Sequence, residues 1–97
     1  MNLRPQVIDP LSLIPRYVSE LGLDQKVECL STEFYLKYAP LIDFTGKDPK
    51  GIDAASIYLT CKIHKIRVLQ NEVVRVAGTT DVTLRGRVKE FNTFIPL

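Results

Sequence analysis

Hydrophobic residues along this chain recur mainly at intervals of three and four positions, the spacing that places side chains on one face of an α-helix. Valines in the second half of the chain could suggest strands, but their spacing and the neighbouring capping residues favour helices. We therefore predict an all-α domain of five helices. The expected bounds are residue 13 or 14 to 21, 24 to 41, 49 to 65, 69 to 77 and 82 to 92.

Residues that start and stop helices support these bounds. Asp24 precedes the second helix and Asp48 precedes the third, and each can accept backbone N–H bonds that a helix start leaves unpaired. Pro49 then occupies the first position of the third helix, where its missing N–H costs nothing. Gly22 ends the first helix. A shorter helical opening is expected at Asp9-Pro10.

The third helix is apolar nearly all round, which predicts that it is the buried central helix of the domain. The chain has 97 residues, enough for one domain, which we place at residues 9–97 after a linker stub at residues 1–8. No stretch is long and apolar enough for a transmembrane helix, and the N-terminus does not resemble a signal peptide.

The most informative stretch, residues 77–90, is interpreted as the turn and second helix of a helix-turn-helix that spans residues 70–92. Gly78 stands where the chain must turn through positive φ, and Thr80 or Asp81 can cap the next helix. Four residues fall on the first, fifth, ninth and fifteenth places of the usual frame: Gln70, Val74, Gly78 and Leu84. A short helix set by such a turn is a common device for reading the DNA major groove.

Charge is concentrated around this second helix. Residues 62–97 hold seven basic and three acidic residues, a net charge of +4, whereas residues 1–61 hold six basic and eight acidic residues, a net charge of −2. The basic excess favours a polyanionic partner, with a solvated basic face as the alternative. The predicted polar side of the helix consists of Thr83, Arg85, Arg87 and Lys89, and its predicted apolar side of Val82, Leu84 and Val88.

No combination of residues predicts catalysis, a cofactor or a metal site, so the chain is not expected to be an enzyme. Cys61 and His64 have a C-x-x-H spacing, but the one other cysteine, Cys29, is distant in sequence, and a zinc ion would lack ligands. We expect both thiols to be reduced and buried.

Gly46 and Gly51 have the glycine spacing of a phosphate-binding loop, but Asp53 stands where that motif requires serine or threonine, and its charge would repel phosphate. A nucleotide site is therefore rejected. Lys47 lies in the loop before a helix start and could contact a DNA phosphate, because helix N-termini attract anions. A solvated loop is the alternative.

Three stretches, taken together, have the order and spacing of one family's signatures. In residues 15–23, Pro-Arg is followed by Ser-Glu-Leu-Gly-Leu. Residues 46–59 match Gly-Lys-x-Pro-x-Gly-x-x-Ala-Ala-x-x-Tyr, and residues 70–85 match Gln-x-Glu-Val…Val-Thr-x-Arg. On these motifs the chain resembles one cyclin-like repeat of the transcription factor IIB family, most closely the second repeat of the archaeal form.

The resemblance implies a five-helix cyclin-like fold and a general transcription initiation factor domain. Such a domain binds the recognition element upstream of the TATA box through its helix-turn-helix. Val82 and Arg85 fall on the family's base-contacting positions, where valine offers methyls to a thymine and arginine donates two hydrogen bonds to guanine. The candidates for phosphate contacts, by position and chemistry, are Thr80, Thr83, Arg87, Lys89 and Gln70.

Two residues depart from the family pattern. Gly86 stands where a longer polar residue is usual, and Val88 where an aromatic residue is usual. A glycine inside a helix costs about 1 kcal/mol relative to alanine. Gly86 therefore either allows the backbone to approach DNA closely or simply weakens the helix.

The implied partners are double-stranded promoter DNA, TATA-binding protein and, in the full-length context, RNA polymerase. We expect a monomer without membrane contact, in an intracellular location that is cytoplasmic in an archaeon and nuclear in a eukaryote. The family's zinc ribbon and first repeat are absent from these residues, which leaves an excised domain and a reduced paralogue as alternatives. The alternative function is a cyclin-like protein-interaction module without sequence-specific DNA binding, and Arg85 discriminates the two.

Overall fold

The computed structural model describes residues 13–95, and within that range the chain forms five α-helices and no β-strand. The helices are α1 Leu13–Glu20, α2 Gln25–Tyr38, α3 Pro49–Ile63, α4 Gln70–Ala77 and α5 Asp81–Asn92. The all-α, five-helix prediction is confirmed. None of these helices is long and apolar enough to cross a membrane. The predicted linker stub at residues 1–8 and the opening at Asp9-Pro10 lie outside the described residues.

The predicted capping residues form hydrogen bonds with backbone N–H groups at the starts of α2 and α3. The Asp24 carboxylate accepts the backbone N–H of Lys26 at 3.0 Å, and the Asp48 carboxylate accepts that of Lys50 at 3.0 Å. α2 is shorter than predicted, ending at Tyr38 and continuing as a 3₁₀ turn, Ala39–Leu41. The reason is Pro40, which has no N–H to donate and cannot fit inside an α-helix.

α3 is the central helix, as its composition predicted. It packs against α1, α2, α4 and α5, and every residue from 51 to 57 is buried. Buried Tyr17 connects α1 to α4, because its hydroxyl donates a hydrogen bond to the backbone oxygen of Ala77 at the end of α4, 3.4 Å away. Burial, followed by the charge of Asp53, raises the pKa of Tyr17, so the phenol keeps the proton that this bond needs.

Gly51 sets the distance between α3 and α5. A methyl group at Gly51 would lie 2.8 Å from Cγ2 of Thr83 and 3.5 Å from Cγ of Arg87, both on α5. The first distance is shorter than carbon atoms tolerate, so α5 can lie this close only because residue 51 has no side chain. Gly51 thus has a packing role.

The C-terminal half of α5 is anchored by aromatic packing. Phe91 is completely buried, and its ring centre lies 5.1 Å from that of Phe34 on α2 and 5.5 Å from that of Phe44 in the α2–α3 loop. Such tilted ring pairs add to the stabilisation from burial. α5 is therefore fixed at one end by Phe91 and at the other by the contact with Gly51.

The two cysteines differ in their surroundings, and the expectation that both are buried is wrong for Cys29. Cys29 is exposed on α2, while Cys61 is completely buried in α3. Burial raises the pKa of the Cys61 thiol to about 11. The sequence pattern failed for Cys29 because α2 turns that position away from α3 towards solvent.

Candidate nucleic-acid interface

The turn between α4 and α5 has the geometry that its glycine predicted. Gly78 has φ of 69°, in the left-handed region, and its N–H donates to the backbone oxygen of Val74 at 3.0 Å. Thr80, rather than Asp81, caps α5: its hydroxyl oxygen accepts the backbone N–H of Thr83 at 3.1 Å. Leu84 is completely buried, as the fifteenth position of the frame requires.

One side of α5 faces solvent: it carries Val82, Arg85 and Lys89, with the half-buried Gly86 between them. These residues are three or four positions apart, so they share a face of the helix. Val82 is 75% exposed, and Arg85 and Lys89 are also exposed. The grouping of Val82 with Leu84 and Val88 on one apolar side is therefore wrong. The inward side is formed instead by Leu84, Phe91 and half-buried Val88.

Arg87 projects from a different side of α5, towards α3. Its side chain is only 14% exposed, and its Nε and Nη2 donate to the two carboxylate oxygens of Glu90 at 2.7 and 3.2 Å. Nζ of Lys47 lies 3.4 Å from the same carboxylate. The hydrogen bond from Arg87 lowers the pKa of Glu90 most, and the charges of Arg87 and Lys47 lower it further. These two predicted phosphate contacts are thus already engaged by a carboxylate.

The remaining polar candidates also have partners within the helix-turn-helix. The Thr80 hydroxyl donates to that of Thr83 at 3.0 Å, while the methyl of Thr83 faces Gly51. Nε2 of Gln70, at the start of α4, donates to Asp81 at 3.2 Å. Thr80, Thr83 and Gln70 therefore hold α4 and α5 in place, and of these three only Thr80 is exposed.

A basic residue that the sequence did not single out lies beside this face. Lys62, near the end of α3, and Arg85 line the same cavity of about 440 Å³ between α3 and α5. Nζ of Lys62 lies 5.5 Å from the ring centre of Tyr58, a cation–π distance. The sequence offered no signal for this pairing beyond the charge itself, because only the packing of α3 on α5 brings the two residues together.

Between residues 13 and 95 no group of three or more histidine, cysteine, aspartate or glutamate side chains could hold a metal ion. His64, the one histidine of the chain, caps the C-terminal end of α3 and is exposed. The exposed face of α5 is therefore the candidate site, with Val82, Arg85 and Lys89 as its side chains.

Comparison with known proteins identifies relatives along the whole chain. Residues 4–93 match the family described as "Transcription factor TFIIB repeat". The chain is 35% identical over 97 residues to "Transcription initiation factor IIB" of Methanothermococcus thermolithotrophicus and 34% identical over 97 residues to the protein of that name in Methanocaldococcus jannaschii. It is 37% identical over 90 residues, 93% of the chain, to the one in Pyrodictium occultum.

The matches cover only part of each relative. The chain spans 29% of the Methanothermococcus and Pyrodictium proteins and 14% of the Methanocaldococcus protein. The family match, the similarity to these relatives over the whole of this chain, and the five-helix fold show that this chain belongs to the transcription factor TFIIB repeat family.

Proposed function

We propose that this domain binds double-stranded promoter DNA through α4 and α5, as part of a general transcription initiation factor. Its target is the recognition element upstream of the TATA box, where it acts with TATA-binding protein to recruit RNA polymerase. The relatives' name, "Transcription initiation factor IIB", supports the general role. The observation that carries the DNA-binding function is the exposed face of α5, directly after a left-handed glycine turn.

The proposed readout divides this face by chemistry. Arg85 donates two hydrogen bonds to the O6 and N7 atoms of a guanine, and Val82 places its methyl groups against a thymine methyl. Lys89, one turn further along α5, pairs with a phosphate. Burying the exposed methyls of Val82 against a base removes apolar surface from water, which gives a physical reason for an aliphatic residue at this exposed position.

The other predicted contacts depend on local rearrangement. Thr80 is exposed beside the start of α5, and its hydroxyl would have to release Thr83 to donate to a phosphate. Lys47 and Arg87 would have to leave Glu90 to do so. Lys62, on the other side of Arg85, is an additional candidate for a phosphate contact. In this proposal Thr83, Gln70 and Arg87 serve mainly to hold α5 in position.

The test compares Arg85→Ala with Lys89→Ala on duplexes that the wild-type domain selects from a randomised pool. Arg85→Ala should lose roughly 1–3 kcal/mol of discrimination at one base pair. Lys89→Ala should weaken binding to all sequences alike and reduce the salt dependence by about one phosphate contact. Lys26→Ala removes the same charge from exposed α2 and should change neither property.

A second function, a protein-interaction module without sequence-specific DNA binding, has one observation in its favour. The cavity between α3 and α5 is lined largely by apolar side chains, and nearby Ile63 is 44% exposed. That function replaces the proposed one if the wild-type domain binds no duplex at low salt, or if neither Arg85→Ala nor Lys89→Ala alters binding.

A further inference from the structure

Gly86 lies inside α5, and the fold gives no reason for a glycine there. Alanine is the better helix former, because glycine loses more backbone freedom on folding. The φ angle of Gly86 is not positive, so its conformation suits any residue. A methyl group built on its Cα would meet no atom within 4 Å, so packing does not require a glycine either.

The other four glycines of the described residues each have a structural reason, either a positive φ angle or a close contact with a neighbouring helix. Gly22, Gly46 and Gly78 have φ between 69° and 78°, which other residues rarely adopt. Gly51 lies against α5, where a side chain would collide with Thr83. Gly86 alone among these five has neither reason, and it lies half-buried between the exposed residues Val82 and Lys89 of α5.

The position of Gly86 between two exposed residues is the second observation that points to a binding role. Val82 precedes it by four positions and Lys89 follows it by three, so the missing side chain lies between them on the helix surface. Valine is a short residue whose methyls stay close to the helix backbone. A thymine methyl can touch Val82 only if α5 lies deep in the major groove, and a long side chain at residue 86 would hold the helix away.

We propose that Gly86 is the point of closest approach between α5 and DNA, where a missing side chain lets Val82 and Arg85 reach the base edges. The inference rests on the proposed function and adds a specificity-determining residue to it. Charge is compatible with this approach, because Glu90, one turn beyond Gly86, is paired with Arg87 and Lys47. Its carboxylate is therefore compensated where a phosphate backbone would pass.

The first experiment measures stability and binding for Gly86→Ala and Gly86→Gln. Gly86→Ala should raise Tm by roughly 4–8 °C, because alanine is the better helix former and a methyl group has room at this position. It should also weaken binding to a duplex selected by the wild-type domain by roughly tenfold. Gly86→Gln should weaken binding further. Ser19→Ala on exposed α1 also improves a helix position, and it should leave binding unchanged.

The second experiment tests whether Gly86 acts through Val82. Val82→Ala should weaken binding in the wild-type background and have a clearly smaller effect in the Gly86→Ala background, because the contact is then already lost. Equal effects in both backgrounds would overturn the proposed link to Val82.

Two further results would overturn the closest approach itself. One is Gly86→Ala binding DNA as tightly as the wild type, and the other is weaker binding together with a lower Tm, since the methyl would then disturb the fold. A wild-type domain that binds no duplex at low salt contradicts the proposed function, which is a separate outcome.

Discussion

Replacing Gly51 with alanine should push α5 away from α3 and destabilise the domain. The new methyl carbon would lie 2.8 Å from Cγ2 of Thr83, whereas carbon atoms prefer about 3.5–4.0 Å, so the helices must separate by roughly 0.7 Å or more. Thr83 cannot avoid the contact easily, because its hydroxyl and backbone N–H are both bonded to Thr80. A threonine side chain also has few alternative rotamers in a helix.

The magnitude follows from two opposing effects. Inserting a methyl into a packed interface costs about 1–3 kcal/mol. Replacing glycine by alanine in a helix returns about 0.5–1 kcal/mol, and the lower end applies to Gly51 because it lies in the first turn of α3. We therefore expect a net loss of about 0.5–2.5 kcal/mol, a decrease in Tm of several degrees for a domain of this size.

Urea denaturation followed by circular dichroism measures this loss, and Thr83→Ser provides the rescue. Serine lacks the methyl that meets residue 51 but keeps the hydroxyl that bonds Thr80. Thr83→Ser should be mildly destabilising in the wild-type background and stabilising when added to Gly51→Ala. The reasoning is refuted if Gly51→Ala is as stable as the wild type, or if adding Thr83→Ser to it brings no recovery.

Three other predictions concern single groups. Exposed Cys29 should react rapidly with an alkylating reagent in the native protein. Cys61 is buried and its thiol pKa is about 11, so it should react only when the protein unfolds. Mass spectrometry after timed alkylation measures both rates. Lys65 has a φ of 58°, so Lys65→Gly should stabilise the domain by about 1 kcal/mol in urea denaturation, and a loss of stability would contradict this. The lowered pKa of Glu90 stabilises the fold above the carboxyl's ordinary value of 4.5, and this contribution is lost as pH falls through the lower folded value. Glu90→Gln should therefore flatten the acid side of the stability–pH curve, and an unchanged slope would show that the Arg87 pair contributes nothing measurable.

The sequence predicts those features of the fold that depend on local chemistry. Asp24 and Asp48 cap helices because their carboxylates reach N–H groups two residues away, and Gly78 adopts positive φ because glycine has no Cβ. A residue pattern is enough to identify such features. The central position of α3 follows in the same way from its continuous run of apolar side chains.

The orientation of α5 about its own axis was not predictable in this way. The residue pattern grouped Arg87 with the polar side of α5 and Val82 with the apolar side, whereas in the structure Arg87 is largely buried and Val82 is exposed. What decides the orientation is the contact between Thr83 and Gly51, residues far apart in the sequence, together with the burial of Phe91. Periodicity cannot resolve the question in a short helix with valines on several sides.

Two glycines therefore act on α5 with opposite consequences, Gly51 from the neighbouring α3 and Gly86 from within α5 itself. The absence of a side chain at Gly51 brings α3 against one side of α5, while the absence of a side chain at Gly86 leaves room for a partner on another, partly exposed side. The first position fixes where Val82 and Arg85 stand relative to the rest of the domain. Gly51→Ala should consequently lower stability and proposed DNA affinity together, whereas Gly86→Ala should raise stability while lowering affinity. The opposite signs at these two glycines, one on α3 and one on α5, separate a packing role from a binding role without reference to any particular DNA sequence.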